Sequence, residues 1–356
     1  MISRRASGRA LEVLKRWLTA VDLFCGSGAV TEALKRRHFR VVAAIDNDPV
    51  ACATYRSNHP RVTLFQEDIR RVKPKIIRDE LLKGRNLDLL VVCAPCQPFS
   101  SQNRQKGNDT RAELILQAAR FARALKPAII FFENVPGLAS PSNSKLLARL
   151  RRRLPPSYTL TGPVRVDAAD YGVPQRRIRC IMFASRNVKL PTIPAATSPE
   201  GKRVTVRHAI QGLIKLKTGQ RAKKDPLHFA RTHQAIALKR LAAIPKDGGS
   251  RSALPRELAL GCHAGHKGHP DVYGRMKWDD IAPTLTTGCT DVTKGRFAHP
   301  ADNRAITLRE AALLQTFPDC YNFEGRSGQI AIQIGNAVPM KLMDALLPSM
   351  RQAMRS

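Results

Sequence analysis

Short apolar runs alternate with amphipathic stretches over the first half of the chain. The runs are Thr19–Phe24, Val41–Ile45, Val62–Phe65, Leu87–Cys93, Ala128–Phe132 and Arg179–Ala184. Short runs rich in Val, Ile, Leu and Phe predict strands buried on both faces. Between them, Val30–Arg37 and Glu113–Leu125 repeat apolar residues at spacings of three and four, which predicts helices. This alternation predicts an α/β domain with a mostly parallel sheet, whose ligands bind beyond the carboxyl ends of the strands. Acidic residues stand at several of those ends: Asp46, Asp68 and Glu133.

After Arg186 the texture changes. Residues 188–198 are rich in Pro and Thr, and 199–300 have weak periodicity with many Gly, His, Lys and Arg. This predicts a smaller, irregular second domain. Helical spacing returns at Thr307–Phe317 and, after Pro339, at Val338–Met354.

The composition is globular: 356 residues, 43% hydrophobic and 25% charged, which excludes disorder over the whole length. No apolar run is expected to reach the ~20 residues of a membrane span, and Met1–Ala20 lacks a signal-peptide core. Eight cysteines are too few for a disulfide scaffold and point to a reducing, cytoplasmic setting. The charge changes the picture most. Sixty Lys and Arg against 28 Asp and Glu give a net +32. The excess is +19 over 1–188, +12 over 189–300 and +1 after that, so it is no tail. A broad cationic surface predicts a polyanionic partner such as nucleic acid.

Asp22-Leu23-Phe24-Cys25-Gly26-Ser27-Gly28 leaves the first strand and opens a helix, with Asp46 twenty residues past Gly26. Glycines let backbone approach a ligand, and a carboxylate at the next strand tip can accept both ribose hydroxyls. Thr31 holds the third glycine position of a dinucleotide fingerprint, so the motif suits a nucleoside without phosphates, such as S-adenosylmethionine. A plain structural turn is the alternative. Cys93-Ala94-Pro95-Cys96-Gln97-Pro98-Phe99-Ser100 carries a cysteine out of a buried strand into a proline-fixed turn, followed by a polar loop. Cys93 and Cys96 also have the spacing of a redox pair, and either could be inert. Glu133-Asn134-Val135-Pro136-Gly137 puts a carboxylate at a strand tip, which a capping role would also explain. Gln175, Arg177 and Arg179 alternate onto one face, where two arginines could hold an acid ionised or bind a base oxygen. Cys262, His263, His266, His269 and Cys289 match no regular zinc spacing, and no metal is expected.

In this order the motifs resemble the cytosine-5 DNA methyltransferases of bacterial restriction–modification systems. Phe24-x-Gly26-x-Gly28, the acid at 46, Asp68, Pro95-Cys96-Gln97, Glu133-Asn134-Val135 and Gln175-x-Arg177-x-Arg179 come first. Arg309-Glu310-Ala311-Ala312-Leu313-Leu314-Gln315 and Gln333-Ile334-Gly335-Asn336-Ala337-Val338-Pro339 follow. The resemblance covers about 19–186 and 299–345. Two departures are Cys93-Ala94 ahead of Pro95 and an aspartate where the family usually has glutamate at 46.

The resemblance implies a Rossmann-like methyltransferase domain over 19–188 and a target-recognition domain over 189–300. It also implies a segment, 301–356, that returns to the catalytic domain. It implies sequence-specific methylation of cytosine in double-stranded DNA, with the base flipped out of the helix. The catalytic residues would be Cys96 as nucleophile, with Glu133, Arg177 and Arg179. S-adenosyl-L-methionine would be held by Phe24, Gly26, Gly28, Asp46, Asp68, Ile69, Pro95, Leu114 and Asn336. Gln97, then Ser100, Arg104 and Lys106 of the loop Ser100–Asp109 expected to close behind the base, and Arg275, Lys277, Thr286, Thr287 and Arg296, would contact DNA. A monomer in the bacterial cytoplasm or nucleoid is expected, paired in function with a restriction endonuclease or solitary. Alternatives are a tRNA cytosine methyltransferase and a non-catalytic DNA-binding protein on the same scaffold.

Overall fold

The computed structural model describes residues 17–95, Phe99, 110–261 and 271–355. Eight strands form one sheet: β1 (Leu18–Leu23), β2 (Phe39–Asp46), β3 (Thr63–Gln66), β4 (Leu89–Val92), β5 (Ile129–Asn134), β6 (Thr159–Leu160), β7 (Val164–Asp167) and β8 (Ile178–Ser185). Their order is β3-β2-β1-β4-β5-β8-β6, with β7 also paired to β8. The first five strands are parallel, and β8 is antiparallel to both β5 and β6. Each apolar run predicted as a strand is one. The β6 and β7 strands escaped prediction because they are two and four residues long and partly exposed.

Strands β1, β4 and β5 are buried along nearly their whole length, as their unbroken apolar sequence requires. Helices α1 (Ala29–Arg36), α2 (Pro49–Asn58), α3 (Gln117–Leu125) and α4 (Ser144–Arg153) connect them. Asp48 caps α2 by accepting from the Val50 and Ala51 amides, with Pro49 next to it in the first turn. Phe121 and Leu125 of α3 and Leu150 of α4 pack with Val21, Leu90, Ile130 and Met182 in the main core. The stretch predicted as one helix over Glu113–Leu125 starts as a 3-10 turn, Thr110–Leu116.

The chain divides into two compact units. The first comprises 1–166, 178–195 and 343–356, and the second 167–177 and 196–342. Helices α5 (Val206–Ile210), α6 (Ala235–Ala243), α7 (Leu308–Leu314) and α8 (Ser327–Asn336) belong to the second, and α9 (Met340–Ala353) leads back to the first. Residues 301–342 thus pack with 199–300. Thr307 Oγ1 bonds His228 Nδ1 at 3.0 Å, and Arg309 pairs with Asp225. The return to the first unit comes only at 343–356.

Contrary to the expectation from sequence, Ser327–Ala353 is apolar and long enough by composition to cross a membrane. It is, however, split into α8 and α9, and 72% of its apolar window is buried in the protein, as in core helices.

Candidate active site

The order 3-2-1-4-5 reverses direction between β1 and β4, and open α/β sheets bind ligands at such a switch point. On its β1 side the chain turns sharply. Phe24, Gly26 and Gly28 all have left-handed φ, of 60°, 51° and 94°. A side chain as bulky as phenylalanine adopts this region only where its surroundings impose it. Beside Gly26 there is open space: a Cβ there would meet nothing within 4 Å.

Asp46 at the β2 tip accepts from the Gly26 amide at 2.8 Å through Oδ2 and from the Asp48 amide at 2.9 Å through Oδ1. The two bonds fix the carboxylate against the glycine loop, while burial raises its pKa. Asp68 sits past β3, but both its oxygens are taken by Arg70, with Nε at 2.9 and 3.1 Å. This pairing pushes its carboxyl down to about 2. Ile69 is buried, and Phe24, Pro95 and Leu114 are half-buried.

A polar network under the loop was not anticipated from the sequence. Asp22, fully buried at the end of β1, accepts from Thr31 Oγ1 at 2.8 Å. The same hydroxyl meets the Tyr55 hydroxyl at 2.9 Å. Asp22 Oδ1 has no hydrogen-bond partner, and burial pushes its carboxyl up to about 7. His59 Nε2 donates to the Gly28 carbonyl at 3.1 Å, and burial pushes the ring down to about 4. The only sequence signal was a carboxylate and a threonine at apolar positions of β1 and α1.

On the other side of the switch point, Glu133 ends β5 and pairs with Arg179 at the start of β8. Arg179 Nε lies 2.7 Å from Glu133 Oε1, and both side chains are 9% exposed. The antiparallel register makes this meeting possible, because Asn134 faces Cys180 and so the beginning of β8 lies beside the end of β5. Asn134 Nδ2 donates to the Ala94 carbonyl at 3.0 Å, joining the β5 tip to the β4 tip. A Cβ on Gly137 would lie 1.9 Å from the Phe99 carbonyl oxygen, so the β5 tip also touches the chain after Pro98 at backbone distance. Cys93 is near the same group: burial first, then the charges of Glu133 and Asp22, push its thiol far above the ordinary range. Cys96, Gln97, Ser100, Arg104 and Lys106 lie outside the described residues.

Three of the expected site residues are engaged within their own unit. Arg177 is 2% exposed, and its two terminal nitrogens donate to Gln175, Leu285, Gly335 and Ala337 within the second unit. Arg275 is 1% exposed and donates to the carbonyls of Leu241, Ile244, His299 and Asp302 and to Asn303. Arg296 pairs with Asp271 and donates to the carbonyls of Gly248, Gly249 and Arg275. Arg275 and Arg296 hold their own unit together and are poor groove contacts. Lys277 and Thr287 are exposed, and Thr286 is half-buried. Of the expected histidine–cysteine cluster only Cys289 is described, and it is buried. No group of three or more potential metal ligands occurs among the described residues.

Residues 18–352 match the family model for C-5 cytosine-specific DNA methylases. The Type II methylase M.HgiDII of Herpetosiphon aurantiacus is 37% identical over 340 residues, covering 93% of this chain and 94% of its own. The Type II methyltransferase M.PspPI of Psychrobacter sp. strain TA137 is 32% identical over 339 residues, covering 93% and 78%. Among solved structures, a proposed DNA modification methyltransferase encoded in a prophage (E. coli) has a TM-score of 0.77 at 23% identity, over 95% of this chain and 100% of that one. At that identity the likeness speaks for the fold.

Proposed function

The chain belongs to the C-5 cytosine-specific DNA methylases, and from that premise we propose how its residues carry out the transfer of a methyl group to carbon 5 of cytosine. The match favours DNA over tRNA as the substrate.

Carbon 5 of cytosine is a weak nucleophile. Addition of the Cys96 thiolate to carbon 6 makes the ring enamine-like and carbon 5 reactive. Glu133 accepts from the exocyclic amine and, with a proton held between its carboxyl and ring nitrogen 3, neutralises the charge that develops there during the addition. Arg179 Nε faces Glu133 Oε1 and Nη1 donates to the Ile178 carbonyl, and the proposed roles call on the other carboxylate oxygen and Nη2 for the base. Arg179 holds the carboxylate in place and binds the base oxygen. Once carbon 5 carries the methyl group, loss of its proton to a base reforms the 5,6 double bond and expels the cysteine as thiolate. Because carbon 6 is hidden in the stack, the base is flipped out, at a cost of a few kcal/mol.

When bound, S-adenosylmethionine supplies the electrophilic methyl group. The residues at the switch point fit it: a left-handed loop with open space at Gly26 and a fixed carboxylate at Asp46. Phe24 packs the adenine and Asp46 takes the ribose, with Gly28, Ile69, Pro95 and Leu114 as neighbouring contacts; Asn336 is a further proposed cofactor contact. Arg70 has to release Asp68 before that carboxylate takes the adenine amine. Residues 189–300, with Lys277, Thr286 and Thr287, form the target-recognition region. Gln97, Ser100, Arg104 and Lys106 are further proposed DNA contacts. The likeness to Type II methylases supports a restriction–modification setting, with or without a partner endonuclease.

The observation that carries this reading is the buried Glu133–Arg179 pair beside the strand that runs into Pro95-Cys96. Bisulfite sequencing of DNA from cells producing the wild type and Cys96→Ala tests it. The wild type is expected to leave methylated cytosines in one sequence context, and Cys96→Ala none, while still binding DNA. Methylation by Cys96→Ala at the wild-type level would overturn the mechanism.

A further inference from the structure

The guanidinium of Arg177 is buried where three segments of the second unit meet. Nη1 donates to the Leu285 carbonyl at 3.0 Å and to Gln175 Oε1 at 3.3 Å. Nη2 donates to the carbonyls of Gly335 at 2.7 Å and Ala337 at 2.9 Å, the two residues that flank Asn336. Leu285 runs directly into Thr286 and Thr287.

The surroundings tighten the same junction. Gln175 Oε1 accepts from the Leu285 amide at 3.0 Å, and its Nε2 donates to Gln315 Oε1 at 3.2 Å. Gln315 Nε2 donates to the Ile334 carbonyl at 2.7 Å. Between the segments there is no room: a Cβ on Gly335 would lie 2.6 Å from the carbonyl carbon and oxygen of Thr286.

We propose that Arg177 is a positioning residue that holds Asn336 and the Thr286–Thr287 segment in one fixed relation, and so sets the affinities for cofactor and target DNA together. The inference rests on the reading above, in which Asn336 meets the cofactor and Thr286 and Thr287 meet DNA. A planar fork of five donors can satisfy several carbonyls on diverging segments at once, whereas the ammonium of lysine is a compact point donor. Replacing the fork leaves buried carbonyls unpaired and lets the segments part.

The test uses Arg177→Lys and Gly335→Ala in the full chain, each checked for folding by circular dichroism, so that a failure of one to fold leaves the other. Losing one or two buried bonds predicts a KM for S-adenosylmethionine and for DNA each raised about 10-fold or more, with kcat at saturation nearly unchanged. Gly335→Ala, whose added methyl would press on the Thr286 carbonyl, is expected to show the same pattern. A fall in kcat at unchanged KM would mean that Arg177 acts in the chemical step, and the proposal fails. Wild-type KM values in the folded variants overturn it as well. Asn336→Ala separates the two levels. Unchanged cofactor affinity there defeats the reading of Asn336, whereas weakened affinity there with an unaffected Arg177→Lys defeats only the role of Arg177.

Discussion

The carboxyl of Asp22 faces no water, and Thr31 serves only one of its oxygens. Its folded pKa of about 7 stands above the ordinary value of 3.8, so between those values the folded chain binds more proton than the unfolded one. Stability contributed by the neutral acid is therefore present below about pH 4 and falls as pH rises to about 7, by roughly 4 kcal/mol. His59, pushed down to about 4, acts in the opposite sense over a similar range, so the difference between two proteins is the quantity to read. Urea unfolding of wild type and Asp22→Asn from pH 4 to 8 should show the variant gaining relative stability as pH rises; a constant gap would contradict a neutral Asp22. At this scale, much of the site was legible. Asp46, Glu133 and Arg179 announce themselves because each is a charge at the end of an apolar run. The guanidinium groups of Arg177 and Arg275 were not legible, because nothing in a sequence distinguishes an arginine that reaches out to an anion from one folded inward onto carbonyls.

Strand tips are held more firmly than their sequence suggests. The stretch Glu133–Gly137 supplies the acid, a hydrogen bond from the Asn134 side chain to the Ala94 carbonyl, and a backbone contact to Phe99 through Gly137. Those two anchors lie on either side of Cys96 in the sequence. In Gly137→Ala the added methyl would overlap backbone, which cannot swing aside as a flexible side chain can. We expect a fall in kcat of about 10-fold or more, from misplacement of about 1 Å between the acid and the nucleophile. Equilibrium binding of S-adenosylmethionine should stay near wild type. Full kcat in single-turnover assays would show that the contact is dispensable. The sequence predicted the strands because burial on both faces leaves continuous apolar runs. The direction of β8 was hidden, since parallel and antiparallel strands bury alike, and it is this direction that brings Arg179 to Glu133.

The whole molecule carries +32, spread over both the first half and the middle of the chain. Phosphate contacts of that kind release counterions, so an enzyme making six to ten of them should lose about 10³–10⁵ in DNA affinity between 50 and 200 mM salt. Filter binding over that range should give the same slope for wild type and Cys96→Ala; a flat response would remove phosphate contacts from the account. The division into two units was only partly legible, because the change of texture near 188 is a local signal while the packing of 301–342 with 199–300 depends on contacts distant in sequence. One consequence concerns gene fission. A fragment ending near residue 166 keeps Glu133 but lacks β8, the neighbour that covers the outer edge of β5 and supplies the counter-charge. Such a half would display an apolar open edge, a template for self-association, beside a carboxylate stripped of its partner. Its complement, carrying residues 178–195, would have to reach it before a second copy of the fragment did.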